Sequence, residues 1–337
     1  MVKQRKKESV LAILKILEDY TDRHHYLTQQ QIAEKVGQKH GIFLERKAIA
    51  SGIRVIEDYG YDISRAKGGG VALIDRGFDE TQIKYLVDSI YSSRSISPSQ
   101  AKELVKHLTS YLSTYERDMF QNVYKSYDIT RSGNDDLFSS IDMISEGMKT
   151  GYRISFTYMT YGMDGSLTPF REKRYIVNPF YLVNNFGRYY LICTHFNYDE
   201  IRVYRVDFMR DVMVETHLAK KKEDLTCFDN FDIDEYLNTH VYMYGGKPIK
   251  AKLELLRGET SIRNLYDWFG RKARCFREED HLYAEVETAS KNLIYWALQY
   301  GEDVVILEPT ELREEMVDFL RNMRRNYRNT KGLGEED

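Results

Sequence analysis

Apolar residues recur at helical spacing through the first part of the chain and at strand spacing beyond residue 152, and that switch divides the molecule. Residues 8–20 place Val10, Leu11, Ile13, Leu14 and Leu17 on one helical stripe. Thr28 is a natural N-cap, and Gln31 three residues on completes a capping box. The short helix that follows buries Ile32, Ala33 and Val36. A third helix is predicted from about Glu45 to Tyr59, with Gly60 just past its end. Within it Ile49, Ile53 and Ile56 must face the core, which leaves Lys47, Ala50, Ser51 and Arg54 on the opposite face. Residues 61–74, YDISRAKGGGVALI, read as two short strands around a basic, glycine-rich turn. Three short helices and a hairpin in about 70 residues make a winged helix-turn-helix.

Residues 79–127 are predicted to be purely helical. Ile83, Leu86, Val87 and Ile90 form one stripe; Ser97 caps a second helix, with Pro98 at N1 and Leu104, Val105, Leu108 and Leu112 along it. SGND at 132–135 breaks the chain, and a helix with Leu137, Ile141, Ile144 and Met148 stops near Gly151. The segments ISFTY, KRYIVNPFYLV, RYYLICTHF and IRVYRVDF then read as four or five antiparallel strands of a small barrel-like sheet. A charged connector spans roughly 220–248. After it the order is strand (249–257), helix (260–269), two strands (273–288), helix (290–300), strand (303–308) and helix (310–327), a ferredoxin-like arrangement. The expected fold class is multidomain α+β. Its parts are a DNA-binding unit at 1–75, a helical linker at 76–135, a sensor domain at 136–220, a connector at 221–247 and an α/β extension at 248–330.

A chain of 337 residues needs two or three cores. The net charge is only −3, so any nucleic-acid footprint must be local. It is local: residues 1–70 hold 13 Lys and Arg against 9 Asp and Glu, whereas the remainder holds 36 against 43. Cys193, Cys227 and Cys275 have neither disulfide nor zinc spacing. No apolar run reaches the roughly 18 residues of a membrane span, and the start MVKQRKKES has no secretion-signal core, so a cytoplasmic protein is expected. No phosphate loop, Ser-His-Asp order, paired carboxylate or metal-ligand cluster stands out, which sets aside an enzyme, a phosphodiesterase for example. DEYLNTH at 234–240 is read as a solvated helix, His24 and His25 as surface histidines, and Trp268 and Trp296 as core. No metal or cofactor is expected.

The order of motifs resembles the WYL-domain transcriptional regulators of bacteria. LTQQQIAEKV…LERKAIASGIRVIEDYGYDI is similar to the family's winged helix. GRYYLIC is similar to its Trp-Tyr-Leu signature, with Tyr189, Tyr190 and Leu191 in the three places. RVYRVDFM resembles the arginine-rich strand that follows, and GEDVVILEPTELREEM the C-terminal extension, called WCX. Tyr189 stands in place of Trp, Phe208 where a second arginine is common, and Ala48, Ala50, Ser51 and Gly52 where Thr, Tyr, Arg and Asp are common. The resemblance implies an Sm-like β-barrel for the sensor domain and a homodimer.

Two sites follow. On the DNA face, Arg46, Lys47 or Arg54 could read guanine or hold phosphate, and Ser51 could do either. Thr28 and Gln29 could donate to backbone phosphate, and Arg65 and Lys67 on the hairpin could follow the minor groove or the backbone. In the sensor domain, the resemblance implies a basic, aromatic pocket for a nucleotide-like or nucleic-acid ligand, with Tyr158, Arg188, Tyr189, Arg202 and Arg205 as candidates and Ser155, Arg174 and His195 as further ones. Arginine forks suit phosphate and tyrosine rings suit bases. On the strand at 201–208, Arg202, Tyr204, Val206 and Phe208 share one face, and Ile201, Val203, Arg205 and Asp207 the other. The expected partners are double-stranded operator DNA and a single-stranded nucleic acid or cyclic or oligonucleotide ligand, with the helices at 79–149 as the lever between the sites. The alternative is a nucleic-acid-binding accessory module of a defence or DNA-repair system. In the extension, Arg263, Arg271, Lys272 and Arg274 read as solvated surface, and the basic tail RNMRRNYRNTK as a helix that frays.

Overall fold

Three isoleucines on one helix face organise the first of two units, Met1–Leu137 and Phe138–Asp337, of a computed structural model that describes residues 2–118, 120 and 134–329. Ile49, Ile53 and Ile56 of α3 (Arg46–Asp58) pack with Ile13, Ile16 and Leu17 of α1 (Val2–Tyr20) and with Ile32 and Val36 of α2 (Gln29–His40). Each such side chain taken from water contributes about 1.5–3 kcal/mol. The inward stripe of α1 runs through Ala12, Ile13, Ile16 and Leu17, so Leu11, expected on it, is instead 67% exposed. Gly52 is buried where α3 crosses α1: a Cβ there would lie 2.6 Å from Ile13 Cδ1.

The hairpin pairs β1 (Ile63–Arg65) with β2 (Val71–Leu73), and Leu27 adds a bridge to Val71. Gly70 lets the hairpin close, since a Cβ there would stand 2.9 Å from Tyr26 Cβ. Beyond it lie α4 (Glu80–Ser92), α5 (Pro98–Thr109) and α6 (Thr114–Arg117), capped by Asp79, Ser97 and Ser113, each in a full capping box. The helical stretch is therefore interrupted at 93–97 and 110–113, where those caps start new helices; its predicted residues 121–127 lie outside the described residues. Arg76 donates to the carbonyls of Leu17, Glu18 and Thr21, at and just past the C-terminus of α1.

The second unit opens within α7 (Leu137–Thr150), which ends at Gly151 with φ 75°. Then come β3 (Tyr152–Tyr161), β4 (Leu167–Pro169), β5 (Tyr175–Asn185), β6 (Arg188–His195), β7 (Ile201–Arg205) and β8 (Met209–Leu218). The strand order is β4-β3-β5-β6-β7, with β8 also on β3. Six strands form where four or five were expected. β3 serves three neighbours in turn, and bulges against β8 curl the sheet. The strand predicted at 201–208 ends at Arg205, and Val206–Phe208 make a 3₁₀ turn. Val206 and Asp207 are both buried in that turn.

The connector is not a solvated linker. Phe228, Val241 and Met243 are buried, and so is His240, whose ring stacks on Tyr236 at 3.9 Å and sets its two nitrogens 2.9 Å from the carbonyls of Tyr236 and Gly246. α8 (Ile233–Thr239), predicted to be solvated, thus turns this end inward.

The extension comprises β9 (Pro248–Leu255), α9 (Glu259–Phe269), β10 (Arg274–Glu278), β11 (His281–Ala289), α10 (Ser290–Gln299), β12 (Val304–Glu308) and α11 (Thr310–Asn329). The antiparallel strands run in the order β10-β11-β9-β12 over a core of Leu253, Leu265, Leu293, Trp296 and Ile306. Trp268 is only partly buried and donates Nε1–H to Tyr300 Oη at 3.1 Å. Phe186, at the tip of the β5–β6 hairpin, packs on Trp268 with ring centres 5.2 Å apart. Arg263, Arg271, Lys272 and Arg274 are exposed. The fraying expected of the tail falls at 330–337, outside the described residues.

Candidate nucleic-acid interface and ligand site

The starts of α2 and α3 lie side by side. Thr28 Oγ1 accepts from Gln31 N–H at 3.3 Å, and Gln31 Oε1 accepts from Thr28 N–H at 2.8 Å and from its hydroxyl at 3.1 Å. The Thr28 hydroxyl is therefore engaged in the cap. Gln29 Oε1 accepts from Arg46 Nε–H at 3.0 Å. Because Ile49, Ile53 and Ile56 fix the inner face of α3, Arg46, Lys47, Ser51 and Arg54 are all exposed. On the hairpin Lys67 is exposed, but Arg65 is tied back to Glu57 of α3 at 2.6 Å. Among the described residues Arg46, Lys47, Arg54 and Lys67 take part in no ion pair. The structure thus groups four of the expected positions, Arg46, Lys47, Ser51 and Arg54, on one helix. It commits Thr28 and Arg65 to partners within the unit.

In the second unit, strand register separates residues that the sequence reading joined. Tyr190 faces Arg205 across β6 and β7, whereas Leu191 faces Tyr204 and Cys193 faces Arg202. Directly opposed residues share a sheet face. Arg188, Tyr190 and Arg205 therefore lie on one face, and Tyr189, Arg202 and Tyr204 on the other.

On the first face, Asp207 takes a forked pair from Arg205, Nε to Oδ1 at 3.1 Å and Nη2 to Oδ2 at 2.6 Å. The guanidinium also lies 4.2 Å over the ring of Phe208. Burial pulls the Arg205 guanidinium toward neutrality, but the hydrogen bonds and charge of Asp207 outweigh it and raise its pKa. From the opposite face, Tyr158 Oη accepts from the backbone N–H of Arg205 at 3.3 Å. Burial pushes the Tyr158 phenol up to about 12, so it remains neutral at physiological pH.

On the second face an aromatic stack fills the curl of the sheet: Phe156, Tyr158, Tyr175 and Tyr204 meet with ring centres 5.2–6.2 Å apart. Burial raises Tyr204 to about 12. Arg171 caps the stack 3.5 Å over Tyr175. His195 is held toward its neutral form by burial and then by the charges of Arg171 and Arg202, and Arg202 is paired with Glu200 at 2.6 Å. Ser155 is 1% exposed, and its hydroxyl accepts from Arg174 Nε and Nη2 at 3.2 and 3.0 Å. That pair braces β3 inside the sheet.

The residues that sequence reading missed are Tyr190, Arg171, Tyr175 and Tyr204. Alternation along β6 already puts Tyr190 with Arg188; nothing in the sequence marks Arg171, which comes from a loop. A cleft of about 610 Å³ in the first unit lies away from α3, with Asp22, His25, Asp75, Arg76, Asp79 and Tyr115 among its walls. There His25 Nδ1 sits 2.8 Å from Asp22 and its ring stacks on Tyr115 at 3.9 Å; both His24 and His25 are exposed. Among the described residues no group of three or more His, Cys, Asp or Glu could hold a metal ion, and no helix is long and apolar enough to cross a membrane.

Comparison with known proteins matches residues 139–214 to the WYL domain and residues 247–324 to the WCX domain. Over 279 residues, 78% of this chain and 83% of the relative, the sequence is 23% identical to the uncharacterized HTH-type transcriptional regulator YobV of Bacillus subtilis (strain 168). Among solved structures it is similar to proteasome accessory factor B/C (PafBC) of Arthrobacter aurescens, at 17% identity and a TM-score of 0.28 over 92% of this chain and 47% of that one. The chain thus spans about half the length of that structure. It is also similar to a CRISPR Cas-related protein, at 13% identity and a TM-score of 0.40 over 77% of this chain and 76% of that one.

Proposed function

We propose that this chain, which carries a WYL domain followed by a WCX domain, is a DNA-binding transcriptional regulator and not an enzyme. In this reading residues 1–75 are a winged helix-turn-helix, 76–135 a helical linker, 136–220 an Sm-like barrel with the sensor site, and 248–330 a ferredoxin-like extension. The observation that carries it is the outer face of α3. Arg46, Lys47, Ser51 and Arg54 stand in solvent on a helix whose other face is locked into the core, and the three cations are paired with no acid among the described residues. A helix so presented fits the major groove, with the hairpin beside it as the wing. The relationship to an HTH-type transcriptional regulator supports the same reading.

The sensor function rests on the two faces around β6 and β7. Arg188, Tyr190 and Arg205 on one side, and Tyr158, Arg171, Arg202 and Tyr204 on the other, offer guanidinium groups and rings suited to a nucleotide-like or nucleic-acid ligand. Such a ligand regulates operator binding only by its difference in affinity between two arrangements of a homodimer. The test is binding to duplex DNA from the gene's own promoter, at two salt concentrations, with and without short single-stranded DNA and cyclic nucleotides. Promoter binding that weakens with salt and responds to one of those ligands supports the proposal. Indifference to promoter duplex refutes the regulator; promoter binding unmoved by every ligand refutes the sensor.

A further inference from the structure

The hydrogen bond between Gln29 and Arg46 joins the first residue of α2 to the first residue of α3. Its neighbours do not compete for it. Thr28 and Gln31 are closed on each other in the capping box, and Gln30 Nε2 donates to Glu34 at 3.1 Å. Arg46 enters no ion pair among the described residues, and the small Ala48 and Ala50 beside it leave its outer side uncrowded.

A guanidinium has five N–H groups in a rigid fork. With Nε–H given to Gln29, the two outer nitrogens keep their donors. Two parallel donors are what the O6 and N7 acceptors of guanine require in the major groove, where arginine–guanine is the commonest specific pair. A long side chain held before binding also loses less rotamer freedom when it binds. Gln29, expected from the sequence to donate to phosphate, has its amide oxygen committed to this arginine.

We infer that Gln29 is a positioning residue, which aims Arg46 at a guanine so that each operator half-site contains one required G·C pair. The inference rests on the proposed DNA-binding role and deepens it by naming the base that is read. The remaining α3 cations, Lys47 and Arg54, then supply phosphate contacts without sequence preference.

The test is selection of the full-length protein on randomised duplex DNA, followed by affinity measurements on the selected site and on its single-base variants. The wild type should select one invariant G·C pair per half-site and lose roughly 5- to 150-fold in affinity when that pair becomes A·T. Gln29→Leu, checked by thermal melting to be folded, should bind with an unchanged salt slope and less than a quarter of that fold-discrimination. Gln29→Glu keeps an acceptor for Nε and should restore the preference at lower overall affinity, a rescue that a merely structural role would not give. Discrimination in Gln29→Leu equal to the wild type's, or selected sites with no guanine preference, overturns the inference while DNA binding stands. A wild type that retains no duplex overturns the regulator, and the inference with it.

Discussion

Replacing Asp207 by Asn should destabilise the second unit out of proportion to the single atom exchanged. The Asp207 side chain is 1% exposed, and both its oxygens accept from Arg205, whose own side chain is 25% exposed. Asparagine has nearly the same shape but offers one acceptor and turns an NH₂ toward the guanidinium. Breaking a fully buried pair costs about 3–5 kcal/mol, because the remaining charge is stranded. Arg205 keeps some contact with water, so the expected loss is about 2–3 kcal/mol. For a unit of this size that lowers the melting temperature by roughly 4–12 °C. Trp268 and Trp296, the chain's two tryptophans, both lie in the second unit, so urea unfolding followed by tryptophan fluorescence reports on it. The double variant Arg205→Met/Asp207→Leu removes both charges and should recover most of the loss. An Asp207→Asn protein within about 0.5 kcal/mol of wild type, or a double variant no better than the single, would refute the stranded-charge argument.

Three further outcomes follow from particular side chains. Burial raises the Asp22 carboxyl, but it is outweighed by hydrogen bonds from Ser113, from the His24 N–H and from His25, which together leave it below its ordinary value. Its contribution is therefore complete above about pH 4 and is lost as pH falls through the lower folded-state value; unfolding midpoints across that range should show a shallower acid limb in Asp22→Asn, and an equal limb counts against it. Gly52→Asp, the residue common in the resembling family, would press a carboxylate against Ile13 and Val10 in the helix crossing and should cost the first unit at least about 3 kcal/mol, read by circular dichroism melting. Cys193 is wholly buried, and burial drives its thiol pKa far up, so native-state labelling with a thiol reagent should modify Cys227 and Cys275 while Cys193 reacts only at the rate of unfolding.

Local chemistry made the first unit readable from sequence. The Thr28–Gln31 capping box, the Ile49–Ile53–Ile56 stripe and the glycine-rich hairpin each act over a few residues, and the structure has all three. The strand–helix order of the extension was legible for the same reason. What sequence could not give was register. Alternation separates Tyr189 from Tyr190, but only the pairing of β6 with β7 sets Tyr190, and not Tyr189, beside Arg205. Alternation also failed at Val206 and Asp207, because the buried Arg205–Asp207 pair required a turn where the pattern read as strand. His240 looked solvated in a charged segment, yet it is buried, with its ring nitrogens at the carbonyls of Tyr236 and Gly246. Gly52 looked like a lost DNA contact until its closeness to Ile13 gave it a packing reason.

The central claim is that α3 and its hairpin grip duplex phosphates, and the salt dependence of promoter binding tests it most directly. With three or four contacts among Arg46, Lys47, Arg54 and Lys67, log affinity should fall against log salt with a slope of about −3 per bound unit. Lys47→Ala should flatten that slope by about 0.9, and Arg65→Ala, whose charge is already tied to Glu57, by much less. A slope near zero, or one that Lys47→Ala and Arg65→Ala change equally, would contradict the account.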